Sequence, residues 1–182
     1  MDHRGSLLIL GLGNVICGDD GLGVAAVEQL RRRYALPVGA RAVDGGTLGL
    51  TLLGEFEGVD DVILVDAVQL DAPPGTAVRL DGEAVESAAR ERLSVHQIGV
   101  ADLLDALRLM GAFPRRLVLL GLVPHTIELG LERSPEVESR LDGLIAAVAE
   151  EARRMGFPLR RRRDDEEVPA GAGDVAARAL GL

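Results

Sequence analysis

Residues 7–24 read LLILGLGNVICGDDGLGV. An apolar run that enters G-L-G is typical of a buried strand that turns into a helix, whose first N–H groups often hold a phosphate. Here the turn also carries Asp19 and Asp20, and a second negative charge ~4 Å from a carboxylate is repelled by roughly 4 kcal/mol at an effective dielectric constant near 20. Ile16 also replaces the third glycine of the dinucleotide-binding pattern. The stretch therefore predicts a strand, a tight turn and a helix that form an acidic site for a cation, with no nucleotide cofactor.

The composition predicts one α/β domain. A chain of 182 residues fits a single domain with a full hydrophobic core. Hydrophobic residues make up 47% of the chain and aromatic residues only 2%, so the core must consist of Leu, Val, Ile and Ala, as in a buried parallel sheet. Apolar runs alternate with segments of helical period, which is typical of strand-helix-strand units. We predict a twisted, mostly parallel sheet of about five strands sandwiched between helices.

The pattern also predicts where these elements lie. Strands are predicted at residues 7–12, 40–44, 61–66, 77–80 and 117–122, with 61–66 in the centre of the sheet, and helices at 21–34, 97–110 and 136–155. The α/β domain is expected to cover residues 1–158. Residues 159–182 are charged and then rich in Gly and Ala, so we expect a largely disordered tail.

Several classes of function are excluded by the composition. The net charge is −9 and no long basic face is present, which argues against nucleic acid as a partner. No apolar run is long enough to span a bilayer and no signal segment is evident, so we expect a cytoplasmic protein without a membrane partner. All 20 basic residues are Arg, which excludes a lysine-dependent phosphate loop or Schiff base. Cys17 is the single cysteine, which excludes a cysteine-rich metal site.

Polar side chains follow the predicted strands at the edge where ligands bind in open α/β sheets. They are Asp19, Asp20, Asp44, Asp66, His96 and His125. Carboxylates with an imidazole form a ligand set that suits a borderline divalent ion such as nickel, zinc or cobalt. Each residue also has a purely structural interpretation, because Asp19 or Asp20 would cap the following helix and a lone histidine is more often a surface residue. The pattern predicts a divalent-metal site and leaves both acids of the first turn as candidates.

Four segments taken together resemble a known family. They are G-L-G-N-x-x-x-x-D-D-G-L-G-V at residues 11–24, D-G-G-T at 44–47, V-D-A at 65–67 and H-Q-I-G at 96–99. In order and spacing they are similar to the hydrogenase maturation endopeptidases. The resemblance implies a cytoplasmic peptidase that removes the C-terminal extension of the large-subunit precursor of a nickel-iron hydrogenase after nickel insertion. It also implies a twisted sheet between helices.

The resemblance also implies roles for individual residues. It places the family's metal contacts on Asp20, Asp66 and His96, and its D-G-G-T turn on Asp44, Gly45, Gly46 and Thr47. We predict catalytic roles for Asp20, Asp66, His96 and Asp44, and a substrate-binding turn at Gly45, Gly46 and Thr47. Many members of the family carry Glu at the position of Asp20, and the aspartate side chain is one carbon, ~1.5 Å, shorter. Asp19 therefore stays open as the metal contact at this stage.

These assignments lead to a hypothesis in which the precursor supplies the nickel. The nickel docks against the two carboxylates and the histidine, and this contact fixes the scissile peptide. The attacking water is activated either by the metal as a Lewis acid or by a carboxylate as general base, and Asp44 either orients the substrate or is that base. A noncatalytic nickel-delivery protein for hydrogenase assembly is the main alternative. A dinucleotide-dependent oxidoreductase is disfavoured by the acidic turn, and a monomer is favoured.

Overall fold

The computed structural model describes residues 5–91, 97–163 and 166. The strands in these ranges are β1 (Leu7–Leu12), β2 (Tyr34–Ala35), β3 (Ala40–Gly46), β4 (Asp61–Ala67), β5 (Ala77–Asp81), β6 (Arg116–Leu122) and β7 (Arg160–Arg161). The helices are α1 (Leu22–Arg33), α2 (Glu83–Arg90), α3 (Gln97–Leu109) and α4 (Pro135–Arg154), with a first 3-10 helix at Gly18–Gly21 and a second at Gly49–Phe56. None of the helices in these ranges is both long and apolar enough to cross a membrane.

The main sheet has five strands in the order β3-β1-β4-β6-β5. The first four are parallel, and β5 runs antiparallel to β6 at one edge. The predicted α/β sheet is thus confirmed, with β4 buried along its whole length at the centre. Because the chain passes from β1 outward to β3 and then back across to β4, the strand order reverses between β1 and β4. Ligand sites in open α/β sheets form at the carboxyl ends of strands beside such a reversal.

Each face of the sheet is covered by a helical layer. Alternate strand residues point to opposite faces, so Ile9 and Ile63 pack under α1 and α4. Their neighbours Leu8 and Leu64 pack under α2, α3 and the second 3-10 helix. Strands that are buried on both faces read as continuous apolar runs, which is why β1, β4 and β6 are recognisable in the sequence.

Glycines let α1 approach the sheet closely. A Cβ atom on Gly23 would lie 2.1 Å from the carbonyl oxygen of Val65 and 2.3 Å from that of Leu12, and a Cβ atom on Gly11 would lie 2.4 Å from the carbonyl oxygen of Gly23. Only glycine fits at distances this short. In dinucleotide-binding turns the third glycine allows this close contact between helix and strand. Here Gly23, seven positions beyond Ile16, allows the same contact.

Two segments differ from the prediction. Helix α2 lies in a stretch that reads as polar, because its buried face consists of the small residues Val85, Ala88 and Ala89. Strand β7 pairs antiparallel with β2, so ordered structure continues past the predicted boundary at residue 158. Glu166 forms ion pairs with Arg160 and Arg162, and these offset the repulsion among the positive charges of this basic run. The predicted tail beyond this point, apart from residues 163 and 166, lies outside the described residues.

The amino end of the sheet is held by a buried aspartate that forms ion pairs with two partly exposed arginines. Asp61 is fully buried and accepts hydrogen bonds from Nε of Arg116 at 2.8 Å and from Nη2 of Arg115 at 3.2 Å. Arg116 also donates to the carbonyl oxygen of Met155 at 2.9 Å. Burial acts to raise the pKa of the Asp61 carboxyl, but the hydrogen bonds and charges of the two arginines outweigh it and hold the pKa below its usual value. These contacts join β4 and β6 to the end of α4.

Both edge strands of the sheet carry an arginine with a carboxylate partner. Arg79 on β5 donates from Nε and Nη2 to the two carboxylate oxygens of Glu151 on α4, at 3.2 and 3.0 Å. Arg41 on β3 lies 3.9 Å from the carboxylate of Glu55. These contacts tie each edge to a helical element beside it.

Candidate functional site

The turn after β1 buries the carboxylate of Asp20. Gly13 cannot carry a side chain for two reasons: a Cβ atom there would lie 1.8 Å from the carbonyl oxygen of Asp20, and its φ of 121° disfavours other residues. The turn then leads into the first 3-10 helix, which packs against β4. The Asp20 carboxylate is 1% exposed, and its Oδ2 accepts the N–H of Asn14 at 2.7 Å. The glycines of the opening motif thus hold an acid at the carboxyl end of β1.

Asp19 has a different environment from its neighbour. Its Oδ2 accepts the N–H groups of His125 and Thr126, at 2.8 and 3.2 Å, and the hydroxyl of Ser134 at 2.8 Å. Its Oδ1 accepts the N–H of Ser134 at 2.7 Å. Ser134 is also the predicted N-cap of α4, and its Oγ accepts the N–H of Val137 at 3.3 Å. We call this set of hydrogen bonds the Asp19 clamp, because it fastens the turn after β1 to the loop after β6.

Neither acid caps α1. The N-cap residue is Gly21, and no side chain there accepts a hydrogen bond from the helix. The interpretation of Asp19 and Asp20 as simple helix caps is therefore wrong. The actual partners of Asp19 lie more than 100 positions away, so nothing in the local sequence indicates them.

Asp66 lies near the carboxyl end of the central strand. It is 2% exposed, and its Oδ1 accepts the N–H of Ala67 at 2.8 Å. Gly11 of β1 is in register with Val65, so β1 ends beside Asp66 and continues directly into the turn that holds Asp20. The structure thus brings the turn of Asp20 and the strand end of Asp66 to the same edge, on either side of the point where the strand order reverses.

The D-G-G-T segment forms the next turn along this edge. Strand β3 continues through Gly46, beyond its predicted end, with a register shift opposite Gly11. Oδ1 of Asp44 accepts the N–H of Gly46 at 2.9 Å, and the carbonyl oxygen of Gly46 accepts the N–H of Gly13 at 3.0 Å. Gly45 is buried and Thr47 is exposed. The turn is therefore fastened directly to the turn that follows β1.

The two histidine candidates differ. His96 lies outside the described residues, one position before α3. His125 has a half-exposed side chain whose Nδ1 lies 3.6 Å from a carboxylate oxygen of Glu136, and its contribution at this edge is the backbone N–H given to Asp19. Within residues 5–91, 97–163 and 166, no three His, Cys, Asp or Glu side chains are grouped closely enough to hold a metal ion. Of the three residues predicted to contact a metal, Asp20 and Asp66 lie at one edge of the sheet, and the metal contact itself stays a prediction.

Comparison with known proteins identifies the family. Residues 24–151 match the family model HycI, the hydrogenase maturation proteases. The chain belongs to the hydrogenase maturation protease family. The matched residues include the D-G-G-T turn, Asp66 and His96, whereas Asp20 lies just before them. Members of this family are peptidases, so the predictions of family and enzyme class are confirmed.

Relatives and solved structures agree with the family assignment. The hydrogenase 2 maturation protease of Escherichia coli (strain K12) is 38% identical over 151 residues, which cover 82% of this chain and 92% of the relative. A hydrogenase maturating endopeptidase from Escherichia coli, HybD, has a TM-score of 0.83 at 37% identity and covers 88% of this chain and 99% of its own. A [NiFe] hydrogenase maturation protease from Thermococcus kodakarensis has a TM-score of 0.67 at 28% identity, with coverages of 81% and 99%. The fold described above is thus similar to that of the family over most of both chains.

Proposed function

We propose that this peptidase removes the C-terminal extension of the large-subunit precursor of a nickel-iron hydrogenase after nickel has been inserted. In this proposal nickel is part of the substrate, and Asp20, Asp66 and His96 contact it. The observation that carries the proposal is the pair of buried carboxylates, one in the turn after β1 and one near the end of β4, beside the reversal of strand order. Carboxylate oxygens and one imidazole suit a borderline divalent ion and leave coordination positions for the substrate's own ligands.

Asp20 is a better candidate for the metal contact than Asp19. Both carboxylate oxygens of Asp19 accept hydrogen bonds in the Asp19 clamp, four in total. A metal ion would have to displace buried donors, and each buried donor left unsatisfied costs about 1–3 kcal/mol. The role proposed for Asp19 is to hold the turn in the conformation that presents Asp20.

The chemistry proposed for the site is hydrolysis of one peptide bond. Water adds its hydroxyl to the scissile carbonyl carbon, and its proton goes to the amine of the departing extension. A buried carboxylate beside the metal can take the proton from water as a general base, and nickel when bound can polarise the carbonyl as a Lewis acid. Asp44 is hydrogen bonded within its own turn, which favours a role in orienting the substrate chain along Gly45, Gly46 and Thr47.

The relatives support the class of substrate. The Escherichia coli relative is named for hydrogenase 2, and the Thermococcus kodakarensis structure for [NiFe] hydrogenase. We expect the same class of precursor here, and a contact between the protease and the bound nickel would make cleavage depend on correct metal insertion. Recognition of the metal would then serve as quality control before the extension is lost.

The test is incubation of the purified chain with matched nickel-loaded and nickel-free precursor, followed by intact-mass measurement. We expect the loaded precursor to lose its extension and the nickel-free precursor to keep its full mass. Asp66→Asn and His96→Ala should abolish cleavage while the melting temperature stays near that of the wild type. Asp142→Asn, a matched change at an exposed position, should cleave normally. Equal cleavage of the two precursors would refute recognition through nickel.

The same experiment distinguishes the nickel-delivery alternative. A delivery protein would leave the precursor at full length and would transfer nickel to the nickel-free form. It would also bind free nickel tightly in the absence of precursor, which isothermal titration calorimetry would detect.

A further inference from the structure

Large apolar side chains are exposed on two neighbouring loops at the carboxyl edge of the sheet. The exposed fractions are 54% for Val15, 48% for Ile16, 84% for Leu129 and 77% for Leu131. We call these four residues the apolar ridge. Single exposed apolar side chains are common, but a contiguous group of them typically marks a site of association.

Backbone hydrogen bonds hold the two loops of the ridge together. The N–H of Gly130, which lies between the two leucines, donates to the carbonyl oxygen of Ile16 at 3.0 Å, and the carbonyl oxygen of Gly130 accepts the N–H of Gly18 at 2.7 Å. The Asp19 clamp fastens the same two loops a few residues away. The two loops that carry the four side chains are therefore neighbours with a cross-linked backbone.

The ridge borders the candidate site directly. Val15 follows Asn14, whose N–H binds the Asp20 carboxylate. A Cβ atom on Gly21, the residue after Asp20, would lie 2.8 Å from Cα of Val15. The ridge therefore lies directly beside the turn that holds Asp20.

Two carboxylates flank the leucines of the ridge. Glu128 and Glu132 are both exposed. In the described part of the chain, neither side chain takes part in an ion pair or accepts a hydrogen bond. An apolar strip between two unpaired negative charges is complementary to an apolar strip flanked by lysine or arginine side chains.

We infer that the apolar ridge is the docking surface for the folded part of the large-subunit precursor, which it contacts through an apolar strip flanked by basic residues next to the bound nickel. This inference rests on the proposed function, because it assigns the occupant from the site that the ridge borders. A second copy of this chain is a poorer occupant, since a stable dimer through the ridge would cover the turn that holds Asp20. The ridge would hold the precursor body while the site acts on its extension.

The test compares two double substitutions. In the ridge variant, Leu129→Gln and Leu131→Gln remove the two leucines of the ridge, which are its most exposed side chains. In the control variant, Leu109→Gln and Met110→Gln make similar changes at 89% and 68% exposed positions at the C-terminal end of α3, away from the carboxyl edge of the sheet. Both variants should fold with unchanged melting temperatures, because all four side chains are largely exposed.

We expect the ridge variant to bind nickel-loaded precursor at least about tenfold more weakly than wild type in biolayer interferometry, since each 1.4 kcal/mol of lost contact is a factor of ten. Its KM for cleavage should rise by a similar factor while kcat stays within about twofold, because docking lies outside the reacting groups. The control variant should match wild type. Equal affinity of the ridge variant and wild type for the precursor would overturn the inference.

Further outcomes separate the inference from the proposed function. If wild type binds the precursor through the ridge but leaves its length unchanged, the proposed function fails and the ridge assignment stands. If wild type cleaves normally and the ridge variant binds and cleaves equally well, the ridge assignment alone fails. Light scattering that shows a dimer for wild type and a monomer for the ridge variant would identify the ridge as a self-association surface and would also overturn the inference. Glu128→Arg with Glu132→Arg should weaken binding of the precursor more at low than at high salt.

Discussion

Replacement of Asp19 by Asn should destabilise the fold measurably, because it removes a charge from a fully buried carboxylate with four hydrogen-bond donors around it. The best asparagine rotamer keeps its oxygen at the Oδ2 position, where three of the donors converge. Its NH2 group then faces the N–H of Ser134, so one hydrogen bond to a charged acceptor is lost and one buried donor has no partner. A hydrogen bond to a charged group contributes about 1.5–3 kcal/mol.

The expected loss is therefore about 3 kcal/mol, a large part of the roughly 5–15 kcal/mol by which domains are usually stable. For a chain of this size each kcal/mol lowers Tm by about 2–4 °C, so the variant should melt roughly 6–12 °C below wild type. The measurement is thermal and urea unfolding followed by circular dichroism. Amide hydrogen exchange at Thr126 and Ser134 should also become faster, because both N–H groups donate to Asp19.

The matched control is Asp142→Asn. This aspartate forms an ion pair with Arg33 at 2.6 Å, but its side chain is 78% exposed. Exposed ion pairs contribute little, so the control should unfold like wild type. If Asp19→Asn melts within about 2 °C of wild type, the four hydrogen bonds do not have the strength assigned to them.

Two further predictions concern other parts of the fold. Asp61→Asn should reduce the unfolding free energy at pH 7, and the gap to wild type should shrink as the pH falls below about 4, the usual pKa of an aspartate. The reason is that Arg116 and Arg115 hold the pKa of Asp61 in the folded state below that value. The stability that the Asp61 carboxylate contributes is therefore fully present above the unfolded-state pKa, and it is lost as the pH falls through the folded-state pKa. Urea unfolding across pH 2.5–7 would check this, and a gap that does not change with pH would contradict it. Gly23→Ala should lower the free energy of unfolding by about 3 kcal/mol or more, because its Cβ would lie 2.1 Å from a carbonyl oxygen. The control is Gly143→Ala on an exposed face of α4, where a Cβ would meet no atom within 4 Å. This change should be neutral or should raise the free energy of unfolding by up to about 1 kcal/mol. Equal urea midpoints for the two alanine variants would refute the close approach of α1 to the sheet.

Elements with a strong periodic signal were predictable from the sequence. Leu7–Leu12 is a continuous apolar run because both faces of its strand are buried, and its observed bounds match the predicted ones. Pro135–Arg154 has a helical period and begins after Ser134, which caps it as expected. Helix α2 was missed because its buried face contains two alanines and one valine, and such small side chains hardly distinguish a helix from a loop.

The candidate site was predictable in part. Asp20, Asp66 and the D-G-G-T turn lie at or beyond the carboxyl ends of strands that the sequence shows clearly, and parallel strands bring such ends to one edge. The role of Asp19 was not predictable, because its partners belong to a loop more than 100 residues away. The pairing of Arg160–Arg161 with β2 was missed for the same reason, since a charged run reads as a solvated tail until its backbone partner is known.

The arginines of the two edge strands have a consequence for the behaviour of the protein at high concentration. An exposed edge strand presents unpaired N–H and C=O groups to any other chain, and this is a common route to aggregation. Arg41 on β3 and Arg79 on β5 place a positive charge on each open edge of the sheet. A second copy that paired with either edge would have to take these charged side chains and their carboxylate partners out of water, so the contacts that fasten the edges to their helices also discourage strand exchange between copies.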